Sequence, residues 1–146
     1  MTLEQKLQRE KELKQILTPD PNVNEAVLFN GLSVLFERKS DSILEKIGAG
    51  MVQILQNDLN KRCRILIRCA KDLNKALLNS YIYPFSEFQK YGDVGLQFNA
   101  INYVDNAEKK TYIINLVSKE IANDFSKKFL QSLAINHEIF RKNGQC

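Results

Sequence analysis

Two periodicities divide this chain, and they limit what it can fold into. From Ala26 to Ser118 the apolar residues come in short extended runs rich in β-formers, separated by polar turns. "VLFNGLSVLFER" (Val27–Arg38) is followed by the turn "KSDS", then by "ILEKIGAG" (Ile43–Gly50) leading into "MVQILQ". "NDLNK" is a second turn, with Asn and Asp where turns favour them. "RCRILIRCA", "KALLNSYIY", "GLQFNAINYV" and "TYIINLVS" complete the series, with a polar-aromatic loop after Pro84 and a charged turn "DNAEKK". Beyond Ser118 the period changes. Ile121, Ala122, Phe125, Phe129, Leu133 and Phe140 recur at helical spacing. Ser118 is placed to cap that helix, Glu120 and Asp124 suit its positive end, and Arg141 and Lys142 suit its negative end.

The expected fold class is therefore mainly β with a C-terminal α-helix. About seven antiparallel strands form a barrel or sandwich, and one helix closes an open end, the outline of a pleckstrin-homology-like domain. Ahead of it, residues 1–17 look helical, with Leu3, Leu7, Leu13, Ile16 and Leu17 loosely on one side, and "TPDP" (Thr18–Pro21) stops that helix. The division is 1–24 as a helical extension with a proline-containing linker and 25–143 as the domain. The extension reads either as a solvated arm leaning on the domain or as a partner-binding helix.

No apolar run approaches the roughly eighteen residues that a membrane helix needs. The charged N-terminus resembles neither a secretory signal nor a mitochondrial presequence. Cys63, Cys69 and Cys146 form no metal-binding spacing. On one strand Cys63 and Cys69 would lie about 20 Å apart, too far for a disulfide, so both read as reduced, buried small hydrophobes. Catalysis has no support: no phosphate loop, no nucleophile elbow and no zinc-protease motif is present. "GAG" at Gly48–Gly50 is too short for a dinucleotide loop, and His137 reads as a surface or half-buried helix residue. The expectation is a binding module with no catalytic residue, no metal and no cofactor.

Charge is concentrated. Lys61, Arg62, Arg64, Arg68, Lys71 and Lys75 stand against Asp72 alone, so the segment from 61 to 75 carries +5 while the whole chain carries +4. Strand alternation puts Arg62, Arg64, Leu66 and Arg68 on one face and Cys63, Ile65, Ile67 and Cys69 on the other. The second set is a core face. The first is a stripe of guanidinium groups, Arg64 and Arg68 about 13 Å apart, suited to carboxylates presented in extended form. A solvated face paired to local acids is the plainer reading. Nucleic acid fits less well, because no aromatic platform interleaves the arginines.

These residues resemble the Ran-binding domain family. "VLFNGLSVLFERK" stands for its first strand and "LEKIGAG" for its "W-K-E-R-G-x-G" lead-in to the second. "RILIR" (Arg64–Arg68) stands for its arginine-bearing strand, Asn79 for its later asparagine, and "EIANDFSKKF" for its closing helix. The resemblance covers about Glu25 to Phe140 and looks most like the nucleoporin-type branch. It implies a pleckstrin-homology-like fold and a ligand, the small GTPase Ran in its GTP form, engaged alone or with an exportin or importin. It implies partner-binding roles for Leu44, Glu45, Lys46, Gly48, Gly50, Arg62, Arg64, Arg68 and Asn79, with the arginines suited to an acidic C-terminal segment. A place in nucleocytoplasmic transport follows, at the nucleus or nuclear pore, with the cytoplasm as the alternative.

The chain departs from the family where Leu44 replaces tryptophan and Lys46 and Ile47 replace Glu-Arg. Weaker Ran binding, or dependence on a transport receptor, is the expected consequence. Two other readings stand beside this one. The first is a pleckstrin-homology-like adaptor that has lost Ran and grips an acidic peptide or a phosphoinositide. The second is a structural pore component whose first helix docks a neighbour.

Overall fold

The computed structural model describes residues 24–142 except 84 and 105. The expected N-terminal helix and linker, and Cys146, lie outside the described residues. Seven strands and one helix follow in order: β1 (Glu25–Ser40), β2 (Ile43–Asn57), β3 (Cys63–Cys69), β4 (Ala76–Tyr81), β5 (Gln89–Tyr91), β6 (Gly95–Ile101), β7 (Lys109–Leu116) and α1 (Lys119–Lys142). All neighbouring strands pair antiparallel, in the sheet order β4-β3-β2-β1-β7-β6-β5.

Two local expectations change. "ILEKIGAG", read as the lead-in to "MVQILQ", is itself part of one 15-residue strand with it. The glycines do not interrupt it, because Gly50 marks a close approach of β3. A Cβ there would lie 2.5 Å from the Arg68 carbonyl oxygen and 2.7 Å from Ile67 Cγ2. The loop after Pro84 contains the short strand β5, whose residues are all exposed, so no apolar alternation announced it. Register shifts along β1–β2 fall at Val27/Phe29, Leu35/Phe36 and Arg38/Ser40, where bulges bend the long ribbon.

Inside the curve, Leu35, Val52, Ile54, Cys63, Ile65, Ile67, Phe98 and Ile114 meet Ala122, Phe125 and Phe129 of α1 in one cluster. Cys63 is fully buried, and half-buried Cys69 packs against the same cluster. Phe125 meets Phe29 edge-on at 5.1 Å and Phe129 meets Phe98 at 5.3 Å. Each such buried phenylalanine contributes on the order of 2–3 kcal/mol. The helix begins as its sequence suggests: Ser118 Oγ accepts the Ile121 N–H at 3.2 Å.

The sheet closes where β4 comes round to β6, and side chains make that seam. Asn102 Nδ2 donates to the Leu77 carbonyl at 3.0 Å, and its Oδ1 accepts from Asn79 N–H at 3.1 Å and Val104 N–H at 3.0 Å. The Asn79 carbonyl accepts from Tyr103 N–H at 3.0 Å. Asn136 of α1 performs the same service at the other end of β4. Its Oδ1 accepts the Cys63 N–H at 2.8 Å, while Nδ2 donates to the carbonyls of Cys63 at 2.8 Å and Ile82 at 2.7 Å. Asn136 is 0% exposed, so nothing in water replaces these bonds. Asn136→Ala should therefore cost about 2–4 kcal/mol. The measurement is a urea titration of the full chain, with a lowered midpoint at unchanged slope expected.

Candidate partner-binding face

The alternation of β3 holds, but its second face is not the open stripe that pattern alone suggests. Registered neighbours share a face, so the outward side of β2, β3 and β4 is built in rows. Leu55, Arg64 and Tyr81 make one row, Gln53, Leu66 and Asn79 the next, and Met51, Arg68 and Ala76 the third. Arg64 is only 3% exposed. Glu25 holds it from two sides, Nε to Oε2 at 2.9 Å and Nη2 to Oε1 at 2.7 Å, and Nη1 donates to Asn79 Oδ1 at 2.9 Å. This bidentate pair is structural in its geometry. Glu25 lies 39 residues away in sequence, and no local signal connects the two.

The other two guanidinium groups are less committed. Arg62 lies over the Phe140 ring, 5.4 Å from its centroid. Arg68 loses proton affinity first through burial and then through the neighbouring charge of Arg64, with Glu25 opposing both. The Nε atoms of Arg62 and Arg68 are buried without a hydrogen-bond partner. The neighbouring guanidinium groups of Arg64 and Arg68, with Glu25 on Arg64, give this face a positive character.

The remaining sequence-derived candidates divide. Leu44 pairs across the ladder with Arg38, and Lys46 with Phe36, at the far end of the same sheet, and both are exposed. Glu45 pairs with Glu37 and takes Lys39 at 3.4 Å. Ile47 packs against the barrel core, and Gly48 stands opposite Leu35. Gly50 serves the close approach of β3 described above. Asn79 is a junction, with all three of its polar backbone and side-chain contacts inside the domain. Along the strands, Lys46 to Arg62 spans about 35 Å, so the candidates form a ridge rather than a pocket.

A cavity of 190 Å³ opens between Glu37, Ile47, Lys75, Leu77, Asn102 and Tyr112. It is smaller than the roughly 300–1,000 Å³ of small-molecule sites, and its carboxylate, Glu37, already pairs with Lys39 at 2.6 Å and Lys110 at 3.4 Å. Among the described residues, no group of three or more His, Cys, Asp or Glu is placed to hold a metal ion. No helix among them is long and apolar enough to cross a membrane. His137 is exposed on α1.

A curved antiparallel sheet closed by a C-terminal helix, with a basic outward ridge on its second and third strands, is the architecture of a pleckstrin-homology-like binding domain. The sequence matches the RanBP1 domain over residues 21–135, and the chain belongs to that family. Its members are binding modules rather than enzymes, and a GTPase is the kind of partner the family name denotes. No curated protein matches the sequence significantly. Among solved structures, the chain is similar to the Ran-binding domain of the nuclear complex component Nup2 from Ashbya gossypii, with a TM-score of 0.65 at 19% identity, over 77% of this chain and 98% of that one. A second structure of the Nup2 domain from Ashbya gossypii gives 0.62 at 19% identity, over 75% and 98%. The Dm DCP1 EVH1 domain, solved with the XRN1 DBM peptide, gives 0.58 at 13% identity, over 92% of each chain. At these identities the likeness concerns the fold.

The Glu25–Arg64 pair can be tested by itself. Glu25→Ala should cost about 3 kcal/mol or more, because it leaves a buried guanidinium short of its counter-charge. The double variant Glu25→Leu/Arg64→Met should recover most of that loss, since the charge and its partner leave together. Thermal melts of the two variants beside wild type provide the comparison.

Proposed function

We propose that this domain recognises the small GTPase Ran in its GTP form as an accessory factor of nucleocytoplasmic transport, at the nucleus or nuclear pore. The outward face of β3 grips an acidic C-terminal segment of the GTPase through Arg62 and Arg68. The observation that carries this reading is the placement of Arg68 beside the charge of Arg64 on that face, its Nε buried without a hydrogen-bond partner. Family membership supports Ran as the partner, and the Nup2 likeness supports the pore as the place. Arg64 has a different part from its neighbours. It braces β3 against the start of β1 and against β4, and so fixes the spacing at which Arg62 and Arg68 are presented. Leu44 and Lys46 extend the contact along the outward side of β2. The domain reports nucleotide state and hydrolyses nothing itself.

The departures from the family pattern now separate. Lys46 is exposed and outward, so a base replaces an acid where a partner would meet it. Ile47 packs inward against the core, where it is a packing residue. Binding without a transport receptor is accordingly weaker than nanomolar.

Retention by Ran loaded with a non-hydrolysable GTP analogue or with GDP tests the reading. Arg62→Glu/Arg68→Glu is the right variant, because reversing buried Arg64 would confound binding with folding. Retention by the GTP form only, falling at least about tenfold in the variant, is expected. Retention blind to nucleotide, or unmoved by the reversal, would point instead to an adaptor for acidic peptides or phosphoinositides. Lys46→Glu should tighten the complex by about tenfold if it restores one charge-assisted bond. Titration calorimetry against the GTP-loaded protein measures that gain.

A further inference from the structure

β3 is much shorter than β2, and the difference leaves part of β2 without a partner strand on one side. β2 runs from Ile43 to Asn57, but β3 pairs only with Gly50–Gln56. Ala70 N–H donates to the Ala49 carbonyl at 3.0 Å, and the chain then turns away to begin β4. From Ile43 to Gly48, β2 is paired to β1, and among the described residues no strand pairs with its other side. Ile43, Leu44, Glu45 and Lys46 are exposed, so the edge lies open to solvent over about 20 Å. Such an edge presents backbone N–H and C=O groups to any extended chain that fits beside it.

The 190 Å³ cavity lies beside this edge, where a longer β3 would have run. Ile47 of β2 forms one wall, and Ala76 and Leu77 of β4 form another, with Val104 and exposed Lys75 completing the lining. Glu37, on the β1 side, is neutralised by Lys39 at 2.6 Å and Lys110 at 3.4 Å. An apolar cavity of about 150 Å³ holds a benzene molecule. The space here therefore suits one aliphatic or aromatic side chain.

We propose that an extended segment of another protein adds to β2 along Ile43–Gly48 as a further strand, seating one apolar side chain in this cavity and an adjacent carboxylate on Lys46. The proposal stands on the open edge and the cavity, and holds whichever partner the basic face of β3 engages. Residues opposite one another across a ladder share a face, and successive residues alternate. Ile47 is turned to the barrel, so the residue of the added strand opposite it enters the cavity. The next residue lies opposite exposed Lys46 and stays in solvent, where an acid makes a charge-assisted bond. Lys75 adds a second positive charge beside the cavity, while Glu45 already takes Lys39 at 3.4 Å. The recognised chemistry is thus an apolar residue next to an acidic one, in a sequence that favours the extended conformation. A lysine on the edge, beside the bulge at Leu35/Phe36, also opposes indiscriminate pairing, including pairing with a second copy.

The experiment uses the isotope-labelled full chain and a set of synthetic peptides, acetyl-Thr-Val-Asp-Xaa-Thr-Val-Thr-amide, with Val, Leu, Met or Phe as Xaa. At least one is expected to bind, to slow hydrogen exchange of the backbone amides between Ile43 and Gly48, and to give through-space contacts from Xaa to Ile47 and Leu77. N-methylation of alternate peptide amides separates strand addition from side-chain docking. One alternate set should abolish binding and the other should leave it intact, because only one set faces β2. Replacing the peptide Asp by Lys should weaken binding about tenfold, and Lys46→Glu should restore it. Contacts mapped away from β2 and the cavity, equal tolerance of both methylated sets, or no binding of any peptide at millimolar concentration would overturn the proposal. So would protection of the same amides that grows with protein concentration in the absence of peptide, which would assign the edge to a second copy. No GTPase enters the assay, so its outcome is separate from Ran retention, and failure of either reading leaves the other standing.

Discussion

A sheet that curves round without a final ladder leaves an edge strand with unpaired backbone groups, and the architecture here depends on how β4 escapes that cost. Two asparagine side chains, each mimicking a peptide group, supply what a neighbouring strand would have supplied. Asn102 joins β4 to the end of β6, and Asn136 joins the start of β3 and the end of β4 to α1. A buried amide satisfied at both of its ends costs little to bury, whereas the edge it serves would be costly left alone. The helix is thus held by polar bonds of fixed direction as well as by its phenylalanines. That fixes its rotation, which an apolar face alone would leave free to slip.

From that closure follows the position of β4, and from β4 the geometry of the basic face. Asn79 receives Arg64 through its side chain while its backbone is bound by Asn102 and Tyr103. Arg64 is in turn fixed by Glu25 at the start of the first strand. A chain of hydrogen bonds therefore runs from the β4–β6 seam through β3 to β1. A buried arginine at its centre is poor evidence of stability, since an apolar replacement would do as well. Its value is directional, because the bidentate pair ties β3 to the start of β1 while Asn79 ties it to β4.

The legible parts of this fold were those governed by local periodicity. The change from period two to period 3.6 at Ser118 gave the strands, the helix and its cap, and the alternation of Cys63–Cys69 identified the core face correctly. The residues that escaped sequence reasoning are long-range polar partners. Glu25, Asn102 and Asn136 look like ordinary surface residues in a string of letters, because a hydrogen bond across 39 or 73 positions leaves no periodic trace. The outer face failed for a related reason. Alternation assigns a side but says nothing about what lies over that side, so Leu66 and Arg64 read as exposed when they are among the most buried residues present.

The same distinction changes what the family departures mean. In a strand, adjacent substitutions fall on opposite faces, and Lys46 and Ile47 are adjacent. A bulge opposite them, between Leu35 and Phe36, leaves Ile47 without a ladder partner and turned to the barrel. An arginine there would have to bring its charge to the rim of the core, so its loss is compensated by packing and need not weaken any contact. Lys46 has no such compensation: it stands in solvent at the far end of the ridge that begins at Arg62. It extends the positive character of the face toward Leu44. On the binding reading proposed above, Lys46 is therefore the departure that a partner would meet, and Ile47 the one that the core absorbs.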